Sequence, residues 1–236
     1  MRIYADLHLC PSLDDASNAE SMAKILMKLG VRLVGLVIPP DRLPYASISQ
    51  TFKTNGLDVA TRLDLRPKSR EELLRDLRRL RNRYELVSVE CGNPSVTRVA
   101  VRDRRVDIVY FPRDQRGSAF RENIAHTCQA ALEFNLSELT SGSGFAPRLR
   151  SVRQEIRIAD QASTAIIGST RASKPFELRS PRDVASILHS VGLPLKAALK
   201  AVSDIPISLV KENRARLAKP RLEEGVRVMR RSARYE

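Results

Sequence analysis

The chain has 236 residues, 42% of them hydrophobic, enough for one sizeable core and too apolar for a disordered polyelectrolyte. Lysine and arginine total 41 against 27 acidic residues, a net charge of +14, and with nine lysines 32 of those cations are arginine. The longest apolar runs, such as LVGLVI at 33–38, fall far short of the ~20 residues of a membrane helix. The first residues, MRIYADLHL, are too short and too charged for a secretion signal. Cys10, Cys91 and Cys128 are far apart and form no C-x-x-C pair, which argues for reduced core thiols in a cytosol rather than a thiolate zinc site. A pI near 10.3 favours a polyanionic partner, although codon bias or adaptation to heat also raises arginine content.

Strand-like and helix-like stretches alternate along the chain. RIYADLHL (2–9) reads as a strand and 17–30 as a helix ended by Gly30. A strand at 31–38 is followed by a polar, proline-bearing loop over 39–56 and a third strand at 57–65. KSREELLRDLRRLRNR (68–83) is a helix with a Ser69/Glu72 capping box and a stripe of Leu73, Leu74, Leu77 and Leu80. Further strands are expected at 84–90, 106–111, 131–136 and 164–169, and further helices at 94–103, 119–130, 146–161 and 180–192. Ser180 caps the last of these helices and Pro181 sits in its first turn. The remainder reads as two short helices without an eighth strand. Seven βα units imply a seven-stranded, TIM-like α/β barrel with extra C-terminal helices, a single domain over 1–213 and a basic tail over 214–236.

Such a barrel binds ligands at the carboxyl ends of its strands. Asp6, His8, Arg62, Asp64 and Ser169 fall there and define a polar pocket at the barrel mouth, with Glu90 and Arg171 nearby. A metal-dependent phosphoesterase needs several ligands converging on two or three ions. Only three histidines exist, and His126 and His189 fall inside expected helices. Asp6, His8, Asp64 and Glu90 would make at most one carboxylate-rich site, so neither a catalytic residue nor a resident metal is assigned. G-x-S-x-G, Walker and dinucleotide motifs are also missing.

Two stretches carry the strongest basic signal. SGSGFAPRLR (141–150) runs into a helix that bears Arg148 and a stripe of Arg150, Arg153 and Arg157. GSTRASKPFELRSPRDV (168–184) holds Arg171, Lys174, Arg179 and Arg182 around a capped helix start, a plausible phosphate site. Ordinary capping on a solvated rim accounts for the same residues equally well.

YADLHL (4–9), SGSGFAP (141–147) and PFELRSPRDVASIL (175–188), in this order, resemble the family of the archaeal ribonuclease P protein component 3 and the eukaryotic 30-kDa subunit. The resemblance covers nearly the whole chain, and ELRSPRDV (177–184) is its most specific part. It implies a barrel akin to the PHP phosphoesterases, whose first strand usually carries H-x-H. Here that place holds Asp6-Leu7-His8 and the later histidines are missing, as in a hydrolase scaffold that has lost its metals. It further implies 5′ maturation of precursor tRNA in the cytoplasm, with catalysis by an RNA subunit and its bound magnesium and no cofactor on the protein. The implied partners are ribonuclease P RNA, precursor tRNA through the holoenzyme, and ribonuclease P protein component 2. The RNA-binding candidates are then Arg148, Arg150, Arg171, Lys174, Arg179 and Arg182. A PHP-type metal phosphoesterase and a pure protein-interaction module are the competing readings.

Overall fold

The computed structural model describes residues 2–42, 46–112, 120–140 and 144–218, and the backbone of Arg221–Glu223 and Val226–Arg227. Residue 119 of the expected helix 119–130, residues 141–143 of the Gly/Ser loop and the last nine residues of the tail lie outside the described residues.

The order is β1 (Tyr4–Leu9), α1 (Ala16–Lys28), β2 (Val31–Val37), α2 (Ala46–Thr54), β3 (Asp58–Leu65), α3 (Arg70–Leu80), β4 (Leu86–Glu90), α4 (Pro94–Ala100) and β5 (Ile108–Tyr110). It continues with α5 (Glu122–Ala125), β6 (Ala131–Asn135), α6 (Leu136–Thr140), α7 (Phe145–Gln161), β7 (Ile166–Ser169), α8 (Pro181–Ser190), α9 (Leu195–Ala201) and α10 (Asp204–Ala218). A short antiparallel pair, β8 (Arg221–Glu223) and β9 (Val226–Arg227), stands apart from the main sheet.

Strands β1 to β7 pair in sequence order, all parallel, as right-handed βα crossovers require. The barrel is nearly closed. β1 meets the end of β7 through one bridge, Leu9 to Ala172, and the Cys10 amide donates to the Ala172 carbonyl at 2.9 Å. The Asp6 carboxylate seals the same seam by accepting from the Thr170 amide and hydroxyl.

Strand alternation stacks the interior in layers. The lowest is apolar: Ala5, Leu7, Leu33, Ala60, Leu86, Ile108, Ala131 and Ile167. Val210, Ile205, Ile207 and Leu209 of α10 pack beneath it and plug the amino ends of the strands. Two residues further along the strands the layer turns polar, with Arg62, Ser88, Tyr110, Glu133 and Ser169. At this level β2 carries Gly35, where an added Cβ would lie 2.2 Å from the Leu7 carbonyl oxygen. That close approach belongs to the irregular stretch of β1 between Asp6 and Leu9. A second, larger core fills the space between the sheet and the surrounding helices. Gly168 permits the tightest packing there: a Cβ would sit 2.8 Å from Val184 of α8.

Five expectations change. The loop over 39–56 contains α2, which buries Ile48 and Phe52. The closing helices are not both short, because α10 runs 15 residues to Ala218. The tail therefore does not begin at 214: Arg214 donates to Asp58 and Glu85 and holds α10 against the barrel. The expected helix 119–130 shrinks to α5, and α6 appears directly after β6. The Ser69/Glu72 box is modified as well: Ser69 Oγ accepts from the Glu72 amide at 3.2 Å, but the Glu72 carboxylate reaches the Lys68 amide at 2.7 Å.

Candidate functional site

The structure brings all five mouth residues together, and Arg62 of β3 is the centre. Its side chain is fully buried. Nη1 and Nη2 grip Glu133 of β6 in a two-pronged pair at 2.6 and 2.7 Å, and Nε donates to Asp64 at 2.7 Å. The remaining hydrogens go to the Leu7 carbonyl and Ser88 Oγ, both at 3.0 Å. Every donor of the guanidinium is thus used within the protein.

His8 fills the other side of the same carboxylates. Nδ1 lies 3.0 Å from both Glu133 Oε2 and Asn135 Oδ1. Nε2 lies 3.0 Å from Asp64 Oδ2, an ion-pair distance off the line of a good hydrogen bond. Burial and the Arg62 charge pull the imidazole pKa down, but Asp64 and Glu133 outweigh them and hold it well above its ordinary value. Burial would raise Glu133, yet Arg62 and His8 keep it well below the carboxylate range, and Asp64 is lowered by the same two cations. Ser169 donates to Glu133 at 2.8 Å. Asp6 is pushed up by burial against its hydrogen bonds from Thr170 and the His8 amide.

This donor set does not suit a divalent ion. The carboxylates an ion would need already face a guanidinium and an imidazolium. Among the described residues no group of three His, Cys, Asp or Glu has metal-binding geometry. Glu90 stands outside the network, accepting from Tyr110 at 2.9 Å with Arg66 at 3.2 Å. His126 follows α5 and His189 lies on α8, both exposed and neither at the carboxyl end of a strand.

The basic candidates divide. Arg148 faces inward, 3.4 Å from Glu138 and 3.7 Å from Glu155, both buried carboxylates. Arg171 also turns to Glu138, at 2.6 Å, and lies over the Tyr110 ring with its centroid 5.6 Å away. These two cations serve an internal cluster first. By contrast Arg150, Lys174, Arg179 and Arg182 are exposed, as are Arg153 and Arg157 of the α7 stripe. Arg182 Nε leans on the Tyr4 hydroxyl at 3.3 Å. The amino terminus of α8 is not an open anion site: Ser180 Oγ accepts from the Asp183 amide and Asp183 accepts from the Ser180 amide.

Sequence reasoning missed Glu133, Asn135, Ser88, Thr170, Glu138 and Glu155. For Glu133 and Asn135 a signal existed, since two polar residues alternate with apolar ones in ALEFN and so share the inward face.

The described residues contain no helix long and apolar enough to cross a membrane. The chain is similar to the ribonuclease P protein component 3 of Methanosarcina acetivorans, 25% identical over 213 residues that cover 88% of each chain. It is 23% identical to that of Methanothermobacter thermautotrophicus, covering 96% of this chain and 95% of the relative. Among solved structures it resembles a chain of an archaeal ribonuclease P bound to mature tRNA, with a TM-score of 0.78 at 18% identity, over 99% and 100% of the two chains. An ochratoxinase of A. niger shares the barrel at a TM-score of 0.60 and 12% identity, over 88% and 71%. The family model described as RNase P subunit p30 matches residues 3–218, and the chain belongs to that family.

Proposed function

We propose that the chain serves as a protein subunit of ribonuclease P, the ribonucleoprotein endoribonuclease that removes the 5′ leader from precursor tRNA. In this reading the RNA subunit and its bound magnesium perform the cleavage in the cytoplasm, and the protein neutralises phosphates and braces the folded RNA. Ribonuclease P protein component 2 is its protein partner. The observation that carries the reading is the state of the barrel mouth. Arg62, Glu133, Asp64 and Ser169 are tied to one another inside the mouth, while the guanidinium groups of Arg150, Arg153, Arg157, Arg179 and Arg182 stand exposed on the outside.

Arginine suits phosphate binding because its planar fork holds two oxygens at once. Arg179 and Arg182 are the first positions to test, with Arg150 and Lys174 behind them. In reconstituted ribonucleoprotein, Arg179→Ala/Arg182→Ala is expected to weaken RNA binding. The slope of log K against log salt should fall by about 1.4–1.8, two phosphates' worth. Unchanged assembly with an unchanged slope removes both residues from the interface.

A further inference from the structure

Helix α6 and the loop after β7 frame a pocket of about 460 Å³ beside the mouth. Ser137, Thr140, Arg171, Ser173, Phe176 and Arg179 line it. Phe176 is 71% exposed, the most exposed large hydrophobic side chain among the described residues. A ring this exposed adds little to the core and is open to contact from whatever enters the pocket.

The surroundings of the ring are cationic and hydroxylic. Lys174 Nζ lies 5.9 Å from its centroid. Arg179 Nη1 donates to the Phe176 and Leu178 carbonyls, both at 2.7 Å, which fixes the guanidinium beside the ring. Its Nε and Nη2 hydrogens remain available. Arg171 holds a left-handed backbone, φ 55°, a costly state for a long side chain and one that clusters at ligand sites. The one carboxylate of the loop, Glu177, is spent on the Ser173 and Lys174 amides and the Ser173 hydroxyl.

We propose that this pocket receives one unstacked nucleotide of single-stranded RNA, its base on the Phe176 ring and its phosphate on Arg179 and Lys174. Stacking on an aromatic side chain is how proteins hold splayed-out bases, and hydroxyls offer contacts to base edges and to the 2′-OH. The lining sets Leu136 and Phe176 beside Arg171, Arg179 and hydroxyls, a mixture that matches a base with its attached phosphate better than a purely apolar anchor. The inference rests on the RNA-binding reading above and adds the form of RNA recognised.

The chain contains no tryptophan, so Phe176→Trp creates a single indole reporter. The full chain is titrated at low salt with an oligoadenylate of about ten nucleotides and with a duplex RNA of similar length. Saturable quenching by the single strand and none by the duplex is expected. Phe176→Ala should weaken single-strand binding roughly 5- to 150-fold without changing the salt slope, and Phe176→Tyr should restore it. Single-strand affinity unchanged by Phe176→Ala overturns the stacking proposal while the Arg179/Arg182 test still stands. Loss of capture of protein component 2, with RNA binding intact, overturns it in favour of a protein contact. If the unmodified chain binds neither RNA, both this proposal and the reading beneath it fail.

Discussion

Replacing Arg62 by methionine tests whether the barrel mouth is held by a protein-borne cation. The substitution keeps an unbranched apolar stem and removes the charge. Glu133 then loses both prongs of its pair and keeps only Ser169, His8 and Asn135. Asp64 loses its 2.7 Å donor. Two buried carboxyls, Asp6 and Glu133, and the half-buried Asp64 would share one cation, His8. Breaking a buried pair by deleting one partner costs about 3–5 kcal/mol. For a chain of this size that lowers Tm by roughly 6–20 °C. Far-UV circular dichroism during urea or thermal unfolding reads the loss. The double variant Arg62→Met/Glu133→Gln should lose less than the sum of the two singles, by at least about 2 kcal/mol, since each single leaves the other's partner stranded. The deficit of Arg62→Met should also shrink as pH falls. Without Arg62 the Glu133 pKa rises above its unfolded value, so acid protonates a carboxyl that the variant cannot stabilise as an anion. A loss under about 1 kcal/mol, or strict additivity with Glu133→Gln, would refute this account of the network.

Glu155 should behave in the opposite sense to a salt-bridged acid. Burial pushes it up to about 7 from 4.5, and Arg148 at 3.7 Å does not compensate. The folded state then holds a proton that the unfolded state releases, so stability falls as pH rises from about 4.5 to 7. Glu155→Gln is expected to gain up to about 3 kcal/mol at pH 7.5 and nothing at pH 4, as read by denaturation at the two pH values; an equal effect at both would contradict it. Gly35→Ala drives a Cβ into the Leu7 backbone rather than into a yielding side chain. It should destabilise by at least about 2 kcal/mol in urea unfolding, and a neutral substitution would show that the tight approach of β1 is dispensable.

The barrel was legible because buried parallel strands are apolar runs, and helices such as α3 carry an unbroken leucine stripe. α2 was not, because only Ile48 and Phe52 anchor it among serines and threonines, and two apolar residues four apart do not make a periodic signal. α10 was expected as a short helix and runs 15 residues, because its buried positions, Pro206, Val210 and Asn213, include a polar residue and form no continuous apolar stripe that marks its extent. At the mouth the strand ends were readable, but the partner of Arg62 was not. Glu133 lies 71 residues away and meets it only once the sheet has curled from β3 round to β6. Arg148 was misplaced although its position had a helical signature. It falls in register with Val152, Glu155 and Ala159, the inward face of α7, while Arg150, Arg153 and Arg157 share the outward one.

Composition counts cations without sorting them, and the fold does the sorting. Arg62, Arg81, Arg148, Arg171 and Arg214 each sit against a carboxylate that is itself part of the barrel wall or floor. Arg62, Arg81 and Arg214 each face carboxylates of their own, whereas Arg148 and Arg171 share Glu138, so pairing damps the outward field of these five only in part. Part of the +14 excess is carried by exposed side chains of the α7 stripe, the loop before α8 and Arg182 on its first turn. Inside the barrel mouth Asp64 and Glu133 are engaged by the chain's own Arg62 and His8. The guanidinium groups of Arg150, Arg153, Arg157, Arg179 and Arg182 stand outside that network, exposed on α7, the loop before α8 and its first turn, where a planar fork is open to two oxygens of an anion at once.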